Sequence, residues 1–112
     1  MDENTFFLVG QRLRLLRELL LLTVEEIYKI IRVPPTTLRR IENGDQNSIE
    51  KWTSKLCDLY QVNEKIILDI KKPLPNWKIL RRNILSKYRN EQFIIEAIDK
   101  KPYPKKAIQF RV

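Results

Sequence analysis

The stretch Thr23–Gly44, TVEEIYKIIRVPPTTLRRIENG, contains two short helical patterns separated by a tight turn. On one side of these patterns, apolar residues recur at helical spacing. These residues are Ile27, Ile30, Ile31 and Val33, followed by Leu38 and Ile41. The second pattern leaves a polar outward side made of Thr36, Thr37, Arg39 and Arg40. Two helices joined by a turn of three or four residues form the unit that places its second helix in the DNA major groove.

Local signals predict where these two helices begin and end. Thr23 and Glu26 have the spacing of a capping box, which predicts a helix over about 24–31. Pro34 and Pro35 stop that helix, because proline disfavours helical backbone in the preceding residue and lacks an N–H. Since proline suits a first helical turn, the second helix is expected from Pro35 to Asn43, followed by Gly44 as its C′ residue.

The chain before this stretch predicts another helix, over about 6–21. Its expected inward stripe is Phe7 or Leu8, Leu13, Leu16, Leu20 and Leu22. Arg12, Arg14 and Glu18 are expected on the outside. Residues 1–5 are read as a short polar leader that frays.

The chain after Gly44 predicts two more helices. Ser48 is expected to cap the first of them after a polar loop at residues 45–47. Its apolar positions are Ile49, Trp52, Leu56, Leu59 and Tyr60, with Cys57 as a small core residue. Asn63 and Glu64 begin a short further helix that contains Ile66, Ile67 and Ile70. Five helices by residue 70 predict an all-α bundle, which we take as a domain over 6–70.

Residues 71–112 predict a helical extension. The run 71–75, KKPLP, is typical of a stiff linker. Asn76 is expected to cap a helix whose stripe is Trp77, Leu80, Ile84 and Tyr88. In one alternative, that helix continues through Ile95 and Ile98. In the other, it breaks at Asn90, which caps a separate helix whose apolar residues are Phe93, Ile94, Ala97 and Ile98. We favour the break. Alternation at Ile108, Phe110 and Val112 predicts a terminal strand, which needs a pairing partner in this chain or in a second copy.

Composition narrows the class of protein. The 112 residues support one small domain, or a domain of about 65 residues with an appendage. Cys57 is the lone cysteine, no secretory signal precedes the domain, and the apolar run 19–22 is too short to cross a membrane. The chain has no histidine and no glycine-rich phosphate loop. We therefore expect a cytoplasmic protein that is not an enzyme and has no metal, cofactor or small-molecule ligand.

The positive charge is concentrated in the second half of the chain. Residues 1–70 carry ten basic and eleven acidic side chains, whereas residues 71–112 carry twelve basic and three acidic ones. Long-range attraction to phosphate would therefore come from the tail. Its basic residues are either DNA-backbone contacts or a solubilising surface around a dimer contact: Lys71, Lys72, Arg81, Arg82, Lys87, Arg89, Lys100, Lys101, Lys105 and Lys106. Trp77 is read as a core or interface anchor rather than a base-stacking platform.

Several residues together indicate a known family. They are Arg17, the run Leu22-Thr23-x-Glu25-Glu26, Val33 in the turn, and the string Leu38-x-x-Ile41-Glu42-Asn43-Gly44. Over roughly residues 8–70 the chain resembles the lambda-repressor-like helix-turn-helix domain, the Cro and phage-repressor class often called XRE. The resemblance implies a five-helix DNA-binding bundle.

The resemblance also implies roles for individual residues. Arg17 and Glu42 would form an ion pair that ties the first helix to the end of the third. Thr36, Thr37, Arg39 and Arg40 would face base edges and nearby phosphates. The implied DNA contacts also include Thr23, Val24, Asn43 and Gln46. In the tail, the expected phosphate contacts are Lys71, Lys72, Arg81 and Arg82.

Six positions depart from the pattern of the class: Val24, Tyr28, Arg32, Pro34, Pro35 and Asp45. The leading expectation is a sequence-specific transcriptional regulator, a repressor that binds double-stranded DNA as a homodimer. Residues 76–112 would contribute dimerisation, backbone contacts or both. The departures keep an alternative open, a protein-interaction module such as an antitoxin-like or assembly partner that retains the fold without reading DNA.

Overall fold

A computed structural model describes the backbone of residues 1–99 and the side chains of residues 1–98. Within this range the chain forms seven α-helices, which confirms the predicted all-helical class. In chain order they are α1 Glu3–Leu19, α2 Val24–Ile31, α3 Pro35–Glu42, α4 Gln46–Tyr60, α5 Glu64–Leu68, α6 Trp77–Lys87 and α7 Gln92–Asp99. The strand predicted at Ile108, Phe110 and Val112 lies outside the described residues.

Side chains cap three helices at the positions that the sequence predicts. The Thr23 hydroxyl accepts from the Glu26 N–H at 3.1 Å, and the Glu26 carboxylate accepts from the Thr23 N–H at 3.0 Å, which completes the capping box. Asn63 caps α5 through a hydrogen bond from the Lys65 N–H, and Asn76 caps α6 through one from the Ile79 N–H. Each cap satisfies an N–H that would have no partner within its helix.

The predicted starts of α1 and α4 were wrong, because an aspartate begins each helix. Asp2 accepts from the backbone N–H and the hydroxyl of Thr5, so α1 already begins at Glu3 and residues 1–5 are not a separate leader. Asp45 accepts from the Ser48 N–H at 3.1 Å, so α4 begins at Gln46 and Ser48 is not its cap. At its other end α1 stops at Leu19, two residues before the predicted end.

Three turns after helices use a left-handed residue that is not glycine. Leu21, Arg32 and Gln61 have φ values of 58°, 61° and 56°. Such backbone costs roughly 1–2 kcal/mol in a residue that carries a Cβ. The chain contains only two glycines, and one of them, Gly44, makes the corresponding turn after α3 at φ 92°. Leu20 and Leu22, on either side of Leu21, and Val62, after Gln61, are buried in the core. The free energy gained by this burial offsets the cost of the left-handed backbone.

One hydrophobic core receives side chains from all seven helices. In α1 the buried apolar stripe is Phe6, Val9, Leu13 and Leu16, whereas Phe7 is 48% exposed and Leu8 is half-buried. The predicted stripe was therefore wrong at its start. Cys57 is buried as predicted, and burial raises the pKa of its thiol to about 12.

Arg12 is buried, although the sequence placed it on the outside of α1. Only 5% of the residue is exposed. Its Nη2 donates to the Ile66 and Lys72 carbonyl oxygens at 2.7 and 2.8 Å, and its Nε donates to the Ile67 carbonyl at 3.2 Å. Burial lowers the pKa of the guanidinium, and the charge of Asp69 partly offsets this effect. Arg12 thus joins α1 to the end of α5 and to the segment that follows it.

The extension packs as two helices separated by a turn, which confirms the predicted break. The turn occupies residues 88–90, and α7 begins at Gln92, where the Glu91 carbonyl accepts from the Ile95 N–H at 3.1 Å. Asn90 therefore does not cap α7. Leu80, Ile84, Ile94 and Ile98 belong to the common core, but Phe93 is 48% exposed, contrary to the predicted stripe.

Candidate nucleic-acid interface

A short turn connects α2 to α3 and sets the direction of both helices. Arg32 ends α2 in the left-handed conformation, and its guanidinium lies 5.5 Å from the centre of the Tyr28 ring. Val33 is fully buried beneath the turn. Pro34 has extended backbone with φ −58° and ψ 143°, and Pro35 occupies the first helical position, where its missing N–H costs nothing. Arg32, one of the departures from the class pattern, thus packs its side chain back on α2.

The inward side of α3 is anchored in the core, and its outward side is open. Leu38 and Ile41 are fully buried. Thr36, Arg39 and Arg40 are exposed, and Thr37 is half-buried. Within residues 1–98, the side chains of Thr36 and Arg39 make no hydrogen bond or ion pair. The helix therefore presents polar and basic groups that are free to bind something outside the chain.

A buried ion pair joins α1 to the end of α3. Arg17 binds Glu42 through two parallel contacts, Nε to Oε2 at 2.7 Å and Nη2 to Oε1 at 2.9 Å. The third donor of Arg17, Nη1, binds the Leu22 carbonyl at 2.9 Å, just before α2. Hydrogen bonding to Glu42 raises the pKa of Arg17. This arrangement fixes α3 relative to both of the helices that precede it.

The α1 and α3 backbones also touch directly. A Cβ added to Gly10 would lie 2.4 Å from the Ile41 carbonyl oxygen, and one added to Gly44 would lie 2.7 Å from the Phe7 Cα. Only glycine permits these approaches. Gln11 donates from Nε2 to the Glu42 carbonyl at 3.0 Å. The end of α3 is therefore held rigidly against α1.

Two amide side chains, Asn43 and Gln46, flank the junction between α3 and α4, which also contains one acid, Asp45. Asn43 is exposed at the end of α3. Asp45 caps α4, where hydrogen bonds from the Ser48 hydroxyl and N–H lower the pKa of its carboxyl, with a smaller contribution from Arg40. Gln46 is exposed in the first turn of α4 and donates to Glu50 at 3.1 Å. The aspartate that departs from the class pattern thus has a structural role.

A family model described as a helix-turn-helix domain matches residues 8–65, just over half of the chain. The chain belongs to the helix-turn-helix domain family. This confirms the resemblance read from the sequence and indicates a DNA-binding protein. The comparisons with curated proteins and with solved structures each found no match.

Two expected contacts of the helix-turn-helix domain lie at the start of α2. Thr23 is exposed, and its hydroxyl accepts the capping hydrogen bond while its own proton remains available to an acceptor. Val24 is half-buried and packs against the core. Its side chain therefore contributes to packing, and its expected contact with DNA stays a prediction.

The expected tail contacts lie outside the matched region. Lys71, Lys72 and Arg82 are exposed. Arg81 is half-buried, with its guanidinium 5.4 Å from the centre of the Trp77 ring. Trp77 is itself half-buried, and one face of its ring is covered by that cation. The role of Trp77 as a core or interface anchor remains a prediction.

Sequence reasoning missed three residues that support the helix-turn-helix domain: Gln11, Arg12 and Asp45. Asp45 had a readable signal, since an aspartate three residues before Ser48 is itself a capping pattern. Gln11 and Arg12 had none, because their acceptors are distant backbone carbonyls. Within residues 1–99, no helix is long and apolar enough to span a membrane, and no group of His, Cys, Asp and Glu is arranged to hold a metal ion.

Proposed function

We propose that this protein is a cytoplasmic, sequence-specific transcriptional repressor without enzymatic activity, which reads DNA with α3. One observation carries the proposal. The helix that the family places in the major groove has Thr36, Arg39 and Arg40 exposed, while its opposite side is fixed in the core. A polar helix face on a rigid support is what base recognition requires.

The exposed groups suit the chemistry of base edges. An arginine can donate two hydrogen bonds to the O6 and N7 atoms of guanine. Threonine offers a hydroxyl for hydrogen bonding and a methyl group for contact with thymine. We assign base reading to Thr36, Thr37, Arg39 and Arg40, with Arg40 as the leading candidate for guanine.

Contacts at the ends of the helices would position α3 without reading sequence. Thr23 and the Val24 backbone lie at the start of α2, and Asn43 and Gln46 flank the junction between α3 and α4. Gln46 donates one N–H of its amide to Glu50, and the second N–H remains available to a phosphate. We further propose that two copies bind half-sites related by a two-fold axis, one helical turn of DNA apart.

The deciding experiment selects bound sequences from a random duplex library and then measures binding of the selected duplex by fluorescence anisotropy. We expect one preferred sequence, two chains per duplex, and binding that weakens steeply as salt concentration rises. A scrambled duplex of equal length serves as the reference for nonspecific binding. Recovery of no sequence preference would remove the assignment of base reading.

Arg40→Ala tests the reading helix directly. If Arg40 binds guanine with two hydrogen bonds, its loss should cost about 1–3 kcal/mol on the selected duplex. The cost on the scrambled duplex should be much smaller, because nonspecific binding does not use that contact. Arg14→Ala is the matched control, since Arg14 is exposed on α1 and pairs only with Glu18. Equal discrimination by the Arg40 variant and the parent would exclude Arg40 as a base reader.

A second candidate function is a protein-interaction module that kept the fold. Two observations favour it. No side chain caps the start of α3, and Asp45 keeps a negative charge near the expected phosphate path, because hydrogen bonds from Ser48 lower its pKa. No binding to DNA near physiological salt, together with a stable complex with a protein partner, would favour this module.

A further inference from the structure

The segment before α6, together with α6 and the turn that follows it, carries positive charges and no negative ones. Residues 71–90 contain seven lysines and arginines and no acidic residue. Residues 1–70, which include the helix-turn-helix domain, have a net charge of −1. The reading helix therefore lies in a domain that gains little from general attraction to phosphate, and the basic segment lies next to it in the chain.

Two of the seven cations are engaged within the protein. Lys87 binds Asp58 of α4, with Nζ 2.6 Å from Oδ1, and this hydrogen bond raises the pKa of Lys87. Arg81 is half-buried against Trp77. The other five are exposed and form no ion pair with residues 1–98: Lys71, Lys72, Lys78, Arg82 and Arg89. We call these five residues the outer basic set.

The fold holds most of this set in a defined place. Arg12 binds the Lys72 carbonyl at 2.8 Å, and the Asp69 carboxylate accepts from the Lys71 N–H at 3.1 Å. Lys78 and Arg82 lie four residues apart on one side of α6. The buried Leu80 and Ile84 fix α6 in the common core. The backbone of Lys72 is thus anchored to α1, and that of Lys71 to the neighbouring Asp69, so their positions do not depend on a free linker.

We propose that the outer basic set binds phosphates of the same duplex that α3 reads and adds affinity without reading sequence. The inference rests on the proposed function. Duplex DNA carries one negative charge per about 1.7 Å of its axis, and each neutralised phosphate releases condensed counterions. Because the backbone that carries these exposed, unpaired cations is already fixed, their binding to phosphate should cost little conformational entropy. The same separation of roles, with phosphate contacts for positioning and base contacts for specificity, is general in DNA recognition.

The test compares two full-length double variants of equal net charge. Lys78→Gln with Arg82→Gln removes two members of the outer basic set. Lys29→Gln with Lys65→Gln removes two exposed lysines of α2 and α5 that belong neither to the set nor to α3. Binding of each variant and of the parent is measured by anisotropy on the selected and scrambled duplexes over a series of salt concentrations. Circular dichroism checks that both variants keep the parental helix content.

If both residues contact phosphate, the slope of log K against log salt should become less steep by about 1.8 in the first variant, or about 0.9 per contact. Affinity for both duplexes should fall by the same factor, so that discrimination between them is unchanged. The control variant should keep the parental slope.

Each other outcome overturns a different claim. Equal slopes for the two variants, with the parent binding specifically, would overturn this inference and leave the proposed function intact; the set would then be a solvated surface or a site for another partner. Loss of discrimination in the first variant would overturn the claim that the set does not read sequence. Failure of the parent to bind any duplex would refute the proposed function and this inference together.

Discussion

Arg17 and Arg12 lie on the same helix, yet they attach different parts of the chain to it. Arg17 binds the carboxylate of Glu42 and so fixes α3, the helix that we propose reads DNA. Arg12 binds three backbone carbonyls at residues 66, 67 and 72 and so fixes the exit from the helix-turn-helix domain. The first attachment lies entirely within the region that the family model matches. The second joins that region to the extension beyond it.

The helix-turn-helix domain and the extension share one core, but different kinds of contact join them to α1. A guanidinium and a carboxylate neutralise each other when buried, so the Arg17–Glu42 pair needs both members. Carbonyl oxygens of almost any residue can serve Arg12, so no particular side chain is required at positions 66, 67 or 72. At these two attachments, the exit from the helix-turn-helix domain is bound through backbone carbonyls, whereas α3 is bound through a specific pair of side chains.

The largest effect is expected from Glu42→Ala. Removing Glu42 leaves the charge of Arg17, whose side chain is 14% exposed, without its partner, and this costs up to about 3–5 kcal/mol of unfolding free energy. Urea denaturation measures the loss. Glu18→Ala is the matched control, because Glu18 pairs with Arg14 at the surface and its removal should cost about 1 kcal/mol or less. Similar costs for the two variants would show that the Arg17–Glu42 pair does not hold the fold.

A smaller effect is expected from Arg12→Ala. The change leaves partly buried carbonyls without a donor, and a loss of about 1–3 kcal/mol is expected. Hydrogen exchange should increase most in residues 66–73 and in α6, where the attachment is lost. Arg12→Lys keeps the charge without the planar fork and should recover only part of the stability. Faster exchange spread evenly over residues 1–99 would contradict a local role for Arg12.

The smallest of the three effects is expected from Thr23→Ala, which removes the cap of α2 but no buried group. Loss of such a cap costs about 1 kcal/mol. Thr36→Ala is the control, since Thr36 is an exposed threonine with no hydrogen bond from its side chain to residues 1–98, and a change within about 0.5 kcal/mol is expected. Chemical denaturation of both variants checks the ranking. Equal stabilities would mean that the capping box does not stabilise α2.

Local hydrogen bonds account for most of what could be predicted. The sequence predicted Thr23 and Asn76 as caps and Asn63 as the start of α5, and each of them bonds a backbone N–H only two or three residues ahead, so the signal lies within the motif. The break before α7 was also predictable from the sequence, but Asn90 was wrong as its cap, because α7 begins at Gln92. Within α3, periodicity separated the buried Leu38 and Ile41 from the exposed Arg39 and Arg40.

Contacts between distant parts of the chain account for the errors. Periodicity placed Arg12 outside and Phe7 inside, because a helical pattern shows which residues share a side but not what packs against that side. The acceptors of Arg12 lie 54 to 60 residues further along the chain. Phe7 is displaced from the core where the backbones of α1 and Gly44 meet.

The sequence by itself determined the seven-helix order, the capped start of α2, the glycine turn after α3 and the concentration of positive charge beyond residue 70. Each of these depends on residue type and on contacts within a few positions. Only the tertiary structure decided that Arg12 is buried, that the extension shares the core, and which tail cations remain exposed. Burial is set by the elements that meet at a residue, and those elements come together only when the chain is folded.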